Sequence, residues 1–285
     1  MKIYINGSFY EEPEAKLSVF DHGLLYGDGI FEGIRIYNGR IFKLAEHVRR
    51  LFESAKAIYL DIGMSPEAME TMLVEAVEVN RKKDGYIRLV VTRGSGPLGI
   101  DPHKCGKATV IAIVGDIELY PREYYSRGIA VITSSYRRIS VDAFDVRIKS
   151  LNYLNNVLAK MEARRAGCME SVLLDRDGFV AECTGDNIFI VKDGALLTPP
   201  ANQGALAGIT RDTVFSLAKR QGYPSEERRI TRFDLYTADE CFLTGTGAEI
   251  IPVTAVDGNP VGEGKPGPIT QKLVTAFTEL IRGGD

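Results

Sequence analysis

Histidine, paired cysteine, net charge and long apolar runs are all scarce in this chain, and each scarcity removes a class of protein. Only three histidines occur, His22, His47 and His103, and their spacing suits no metal site, so no metal is expected. The four cysteines, Cys105, Cys168, Cys183 and Cys241, stand far apart and form no Cys-x-x-Cys pair. That excludes a disulfide scaffold and a zinc site and fits a reduced, cytoplasmic chain. A formal net charge of −3 leaves no electrostatic footprint for nucleic acid. No apolar run approaches the ~20 residues of a membrane span, and the opening Met1-Lys2-Ile3-Tyr4-Ile5 reads as a strand rather than a signal peptide. Internal repeats, low-complexity tracts and long linkers are missing too.

What is present is ordinary for a globular protein: 285 residues, 45% hydrophobic and 26% charged, enough for one large domain or two modest ones with a sizeable core. Asn6-Gly7 between Ile3-Tyr4-Ile5 and Ser8-Phe9-Tyr10 predicts a hairpin on a type I′ turn. Leu44, Val48, Leu51, Ala55 and Ile58 form one apolar stripe, predicting an amphipathic helix over 43–59. Ser65 before Pro66 starts a second helix running to about Lys82. Strands are expected from Tyr86 to Arg93 and over 109–114. Leu119-Tyr120-Pro121-Arg122-Glu123 breaks the pattern and is the candidate domain junction. Beyond it, Asp177-Gly178 and Asp193-Gly194 punctuate short strands over 172–198, which read as an antiparallel meander. Helices follow at about 210–221, closed by Gly222, and at about 268–282. The fold class is α+β in two domains: residues 1–120 a small N-terminal domain, 121–128 a linker, 129–285 a large C-terminal domain carrying Lys149.

The chemistry concentrates in a few segments. Phe144 to Ile148 alternates like a strand and Tyr153 to Arg165 has helical character, so Lys149 falls at a strand-to-helix handover. A lysine enclosed in such a place loses solvation and becomes a nucleophilic amine. Glu182 follows the Asp177-Gly178 turn at a strand end. Ile209 and Thr210 open a helix, where backbone N–H groups point at an anion; Thr210 also suits an N-cap. Arg49 and Arg50 both flank the apolar stripe, and helical geometry does not choose between them. Tyr86 and Arg88 share one strand face while Ile87, Leu89 and Val91 fill the other. Gly94-Ser95-Gly96-Pro97-Leu98-Gly99 satisfies a dinucleotide-binding pattern, but Pro97, Asp101 and Pro102 forbid the helix that must follow, so it is a loop.

Taken together these segments resemble the fold-type IV pyridoxal-phosphate enzymes, the branched-chain amino acid aminotransferase family in particular. Ile148-Lys149-Ser150-Leu151-Asn152-Tyr153-Leu154-Asn155-Asn156 is similar to the family's cofactor-lysine segment. Ala181-Glu182-Cys183-Thr184-Gly185-Asp186-Asn187 resembles its acid segment, with Cys183 where a glycine is usual. Glu46-His47-Val48-Arg49-Arg50-Leu51 resembles its phosphate-arginine motif, and Tyr26-Gly27-Asp28-Gly29-Ile30-Phe31-Glu32-Gly33-Ile34-Arg35 its substrate-pocket motif. The likeness runs to Val256-Asp257-Gly258 and Val261-Gly262-Glu263-Gly264 near the end. It implies pyridoxal 5′-phosphate held between two domains, with Lys149 as Schiff-base lysine and proton shuttle. It implies Glu182 against the pyridine nitrogen and Tyr153 on the phenolic oxygen. Arg50, Ile209, Thr210 and Thr246 fall to the phosphate, and Leu206 completes the cofactor set. Tyr26, Phe31, Tyr86, Arg88, Gly247 and Ala248 would meet the substrate. The implied reaction moves the amino group between L-branched-chain amino acids and 2-oxoglutarate, so the partners are amino acids and 2-oxo acids. The family's minimal unit is a homodimer in which the 94–99 loop reaches the neighbouring subunit's site. A D-amino acid transaminase and an aminodeoxychorismate lyase are the alternatives of the same fold.

Overall fold

The computed structural model describes residues 1–283 and separates into two units, residues 1–117 with 148–152, and residues 118–147 with 153 onwards. In the first unit, β1 (Lys2–Ile5) and β2 (Ser8–Glu11) form the expected hairpin, and Asn6 and Gly7 both take positive φ, 47° and 92°. The short helix α1 (His22–Tyr26) leads into β3 (Gly29–Tyr37) and β4 (Arg40–Ile41). The helices α2 (Leu44–Ala57) and α3 (Pro66–Val79) come next, and β5 (Gly85–Thr92) and β6 (Thr109–Gly115) complete a six-stranded sheet in the order β2-β1-β6-β5-β3-β4. Ser65 caps α3, its hydroxyl accepting from Ala68 N at 3.2 Å. The strand period of two sorts the side chains. Ile30, Ile34 and Ile36 of β3 and Ile87, Leu89 and Val91 of β5 pack with Val48, Leu51 and Ala55 of α2 and with Met69 and Leu73 of α3. Phe31 and Gly33 on β3, and Tyr86 and Arg88 on β5, therefore fall on the opposite face.

One edge of β3 is paired with β5 from Gly29 to Ile36, while on its other edge β4 reaches only Ile36 and Tyr37. The backbone groups left over are taken by the lysine segment: Phe31 N donates to Lys149 O and Leu151 N to Gly29 O, both at 2.9 Å. Residues 148–152 thus make their contacts with the first unit, although sequence position groups them with the C-terminal residues. The expected strand over 144–148 is a turn instead. Asp145 accepts from Arg147 N at 3.0 Å and pairs with the Arg147 guanidinium, local bonds that displace a sheet ladder.

The second unit opens with α4 (Glu123–Arg127), which occupies the stretch expected as a linker. It continues through β7 (Ile129–Arg137), α5 (Leu154–Arg165), β8 (Glu170–Leu174), β9 (Val180–Cys183), β10 (Asn187–Lys192) and β11 (Ala195–Thr198). After these come α6 (Ile209–Arg220), β12 (Ser225–Glu227), α7 (Arg232–Tyr236), β13 (Glu240–Gly245), β14 (Glu249–Val256), β15 (Asn259–Pro260) and α8 (Pro268–Gly283). The sheet runs β12-β11-β10-β13-β14-β7-β8-β9, with β15 on β14. The strands over 172–198 are therefore not one meander. β8–β9 and β10–β11 are antiparallel hairpins, but β13, β14 and β7 stand between them, and β7 pairs β8 and β14 in parallel. Turn signals foretold each hairpin; the insertion of one earlier and two later strands is a long-range pairing that no local signal carries.

Candidate active site

In the first unit, the buried face of the β3–β5 sheet carries one charged residue in phase with its isoleucines, Glu32, with no exposed surface. It is satisfied from α2. Arg50 Nε and Nη2 donate to Glu32 Oε1 and Oε2, each at 2.7 Å, and His47 Nδ1 reaches Oε2 at 2.7 Å. Burial works to raise the Glu32 carboxyl, but Arg50 and His47 outweigh it and hold it well below the usual carboxylate range. Burial likewise pushes His47 down against the pull of Glu32. A neutral ring facing a carboxylate must then present Nδ1–H as donor. Of the two arginines that the stripe left open, Arg49 has a side chain 72% exposed and Arg50 one 10% exposed.

One turn beyond Arg50, Ser54 Oγ accepts from Lys149 N at 3.2 Å, so β3 and α2 together fix the Lys149 backbone. Lys149 Nζ lies 4.7 Å from the centre of the Phe31 ring, and Arg88 Cζ lies 4.7 Å from that ring and 5.4 Å from the Tyr86 ring. Gly33 makes room: a Cβ there would come within 1.8 Å of the Tyr86 hydroxyl. Lys149, Phe31, Arg88 and Tyr86 are thus brought together. Tyr26 is tied to the 94–100 loop, its hydroxyl accepting from Gly99 N at 2.9 Å and its ring edge-on to His22. His22 Nε2 bonds Pro97 O at 3.0 Å, holding that loop as the non-helical turn its prolines require.

In the second unit, Glu182 lies inside β9 and is 5% exposed, not a strand-end surface acid. Its Oε1 accepts from Arg138 Nη2 at 2.7 Å and its Oε2 from Leu206 N at 2.7 Å. Leu206 is placed in turn by Asn187, whose Nδ2 donates to Leu206 O at 2.8 Å. Two residues on, Gly208 precedes α6; a Cβ there would meet Asn187 Oδ1 at 2.0 Å. Thr210 is not the cap, because the helix already starts at Ile209. Gly208 is the N-cap and supplies no side-chain bond, which leaves the first N–H groups of α6 to be met by an outside acceptor. Thr246, Gly247 and Ala248 form the β13–β14 turn, and Tyr153 occupies the N-cap of α5. Behind Gly245 lies Asp186, which accepts from the Tyr120 hydroxyl at 2.9 Å. Its carboxyl is pushed up to about 7 by burial first and by neighbouring Glu170 second.

A half-buried lysine against an aromatic ring, an acid braced on both oxygens and an anion-ready helix start define a class. Residues 29–256 match the family model of the class IV amino-transferases, and the chain belongs to that family. A protein of Methanocaldococcus jannaschii, provisionally named a branched-chain-amino-acid aminotransferase, is 54% identical over 280 residues, covering 98% of this chain and 96% of its own. The D-alanine aminotransferase of Bacillus licheniformis is 39% identical over 285 residues, 99% of this chain and 97% of its own. Among solved structures, the branched-chain amino acid aminotransferase of Escherichia coli superposes with a TM-score of 0.96 at 37% identity, over 99% of this chain and 95% of that one.

Enzymes of this class use pyridoxal 5′-phosphate, and the residues present fit it. In the first unit Lys149 could offer an amine to the carbonyl; in the second the doubly braced Glu182 could accept from a ring N–H, and the glycine-capped start of α6 could turn its N–H groups to a phosphate. The sequence assigned no role of their own to Glu32, His47, Ser54, Arg138 and Asn156. Glu32 had a signal: a carboxylate in phase with buried isoleucines demands partners. Arg138, forty-four positions before its partner Glu182, had none.

Proposed function

We propose that this enzyme transfers the amino group between L-branched-chain amino acids and 2-oxoglutarate, as a cytoplasmic homodimer. The observation that carries the reading is that Lys149 and Arg88 lie against the same Phe31 ring. The amine that anchors the cofactor and the cation that meets substrate then share one aromatic wall. An aliphatic side chain fits against Phe31 and Tyr86, while the second carboxylate of glutamate finds the Arg88 guanidinium between them.

The cofactor, when bound, supplies the electron sink that accepts the charge left when the α-proton departs. Lys149 would hold the cofactor through its amine, and its Nζ would carry the proton taken from the substrate α-carbon. Glu182 would accept the ring N–H. Of the residues that would hold the phosphate, the first unit supplies Arg50, itself held by Glu32, and the second the Ile209 and Thr210 N–H groups and the Thr246 hydroxyl. Tyr153 would donate to the phenolic oxygen, and Leu206 would complete the cofactor set. Tyr26, Gly247 and Ala248 complete the substrate side. Leu17, Val19, Phe20 and Leu24 stand exposed beside the loop bearing Leu98 and Ile100. An apolar patch of that kind suits a second copy of the chain, and light scattering reads the mass directly.

The second reading is a D-amino acid transaminase, favoured by the 39% identity to the D-alanine enzyme. Spectral monitoring of the bound cofactor during one half-reaction separates them: L-leucine, L-valine and L-glutamate should convert it and D-alanine should not. Conversion by D-alanine alone would overturn the L-specific reading.

A further inference from the structure

We propose that Arg138 determines where the proton on the bound cofactor's ring nitrogen resides: its guanidinium keeps Glu182 a carboxylate, so the proton stays on the ring. The inference rests on the assignment of Glu182 as the ring partner and adds a positioning residue behind it.

Arg138 is 7% exposed and Glu182 5%, and their 2.7 Å contact is shielded from water. Arg138 is held from three directions. Nη2 donates to Glu182, Nη1 to Asn156 Oδ1 at 2.9 Å and Nε to Gly204 O at 3.3 Å. Asn156 is spent at both ends of its amide, since Nδ2 donates to Thr184 O at 2.7 Å, just past Glu182. Asn156, at the tail of the lysine segment, thus braces both the arginine that pairs with the acid and the backbone just beyond the acid. A guanidinium stays charged at any pH a protein tolerates, so it is a fixed counter-charge.

The surroundings make that counter-charge decisive. Glu170 is buried and paired with Lys160 at 2.8 Å, and Asp186 is buried with its Oδ1 lacking any hydrogen-bond partner among the described residues. A third buried carboxylate beside these acids would be costly without a cation in contact. If the guanidinium were removed, the cheapest relief would be proton uptake by Glu182, and the ring N–H is the donor at hand. The N–H bond would break, an O–H bond would form on the carboxyl, and both partners would become neutral with no electrons exchanged. The neutral ring no longer takes up carbanion charge. With Arg138 in place the carboxylate, whose oxygens offer about four lone-pair sites, accepts from Arg138 and Leu206 and still receives the ring N–H.

The test loads the full-length enzyme with pyridoxal phosphate labelled with ¹⁵N in the ring and reads the ring-nitrogen shift. Wild type should show a protonated ring. Arg138→Met and Arg138→Gln should show an unprotonated one, with turnover down by at least about tenfold. Arg138→Lys, which keeps the charge, should restore the protonated shift, as a purely structural role would not. Melting curves confirm that each variant is folded, and the Gln variant, which keeps a donor, carries the reading if the Met variant does not fold. A protonated ring in a folded Met or Gln variant overturns the proposal. Glu182→Gln separates the two levels: if it leaves the ring protonated, the ring-partner assignment itself is wrong.

Discussion

At the scale of single residues, the proposed chemistry hangs on Lys149 and the proposed discrimination between substrates on Arg88. Lys149→Ala should abolish transamination while the protein still binds pyridoxal phosphate, because Glu182 and the start of α6 are untouched. Equilibrium dialysis with the cofactor, alongside the rate assay, checks both halves, and wild-type turnover by this variant would sink the assignment. Arg88→Ala should weaken the glutamate half-reaction far more than the leucine one. A charge-assisted hydrogen bond contributes roughly 1.5–3 kcal/mol, so a ten- to hundredfold difference is the expected order. Single-turnover rates with each amino acid decide it, and equal losses would assign Arg88 to the pocket wall or the α-carboxylate.

At the scale of elements, the positions of these groups follow from how β3 is used on both faces and both edges. Its core face sets Glu32 against Arg50, its other face sets Phe31 against Arg88, and its free edge binds the Lys149 backbone. Gly33 tests this economy. A methyl group at 33 would come within 1.8 Å of the Tyr86 hydroxyl, so the ring must leave its place over β3. Gly33→Ala should raise KM for both amino-acid partners by about tenfold, equivalent to ~1.4 kcal/mol, with unchanged cofactor affinity; an unaltered KM would show that Tyr86 does not line the pocket. The alternation of β5 and the stripe of α2 were legible because each repeats with the period of its own element. The turn at 144–148 was not, because Asp145 and Arg147 satisfy each other locally in a stretch that also alternates.

For the whole molecule, the buried acids set opposing pH dependences. Folding raises the Asp186 carboxyl to about 7, so its contribution is full below about pH 4 and lost as pH climbs through about 7. Folding lowers the Glu32 carboxyl, so the stability from its pairing is present above the usual carboxylate range and lost on acidification. Asp186→Asn keeps an acceptor for the Tyr120 hydroxyl without the charge. Its unfolding free energy relative to wild type should therefore rise between about pH 4 and about pH 7, by on the order of a few kcal/mol at most. Denaturant titrations of both proteins across that range check it, and a constant offset would show that Asp186 does not titrate on folding.

The sequence alone determined what is local or carried by a recognisable motif: the hairpin at Asn6-Gly7, the faces of α2 and β5, the glycine-closed end of α6, and the segments around Lys149, Glu182 and Arg50 that mark the family. Only the tertiary structure decided which strand carries the lysine backbone, that β7, β13 and β14 separate the hairpins of 172–198, and that Glu32 and Arg138 stand behind Arg50 and Glu182. The reason is the range of the interactions. Turn, cap and face preferences are settled within one element by its own period, whereas a buried charge finds its partner anywhere along the chain, and what selects the pair is the cost of leaving either one alone.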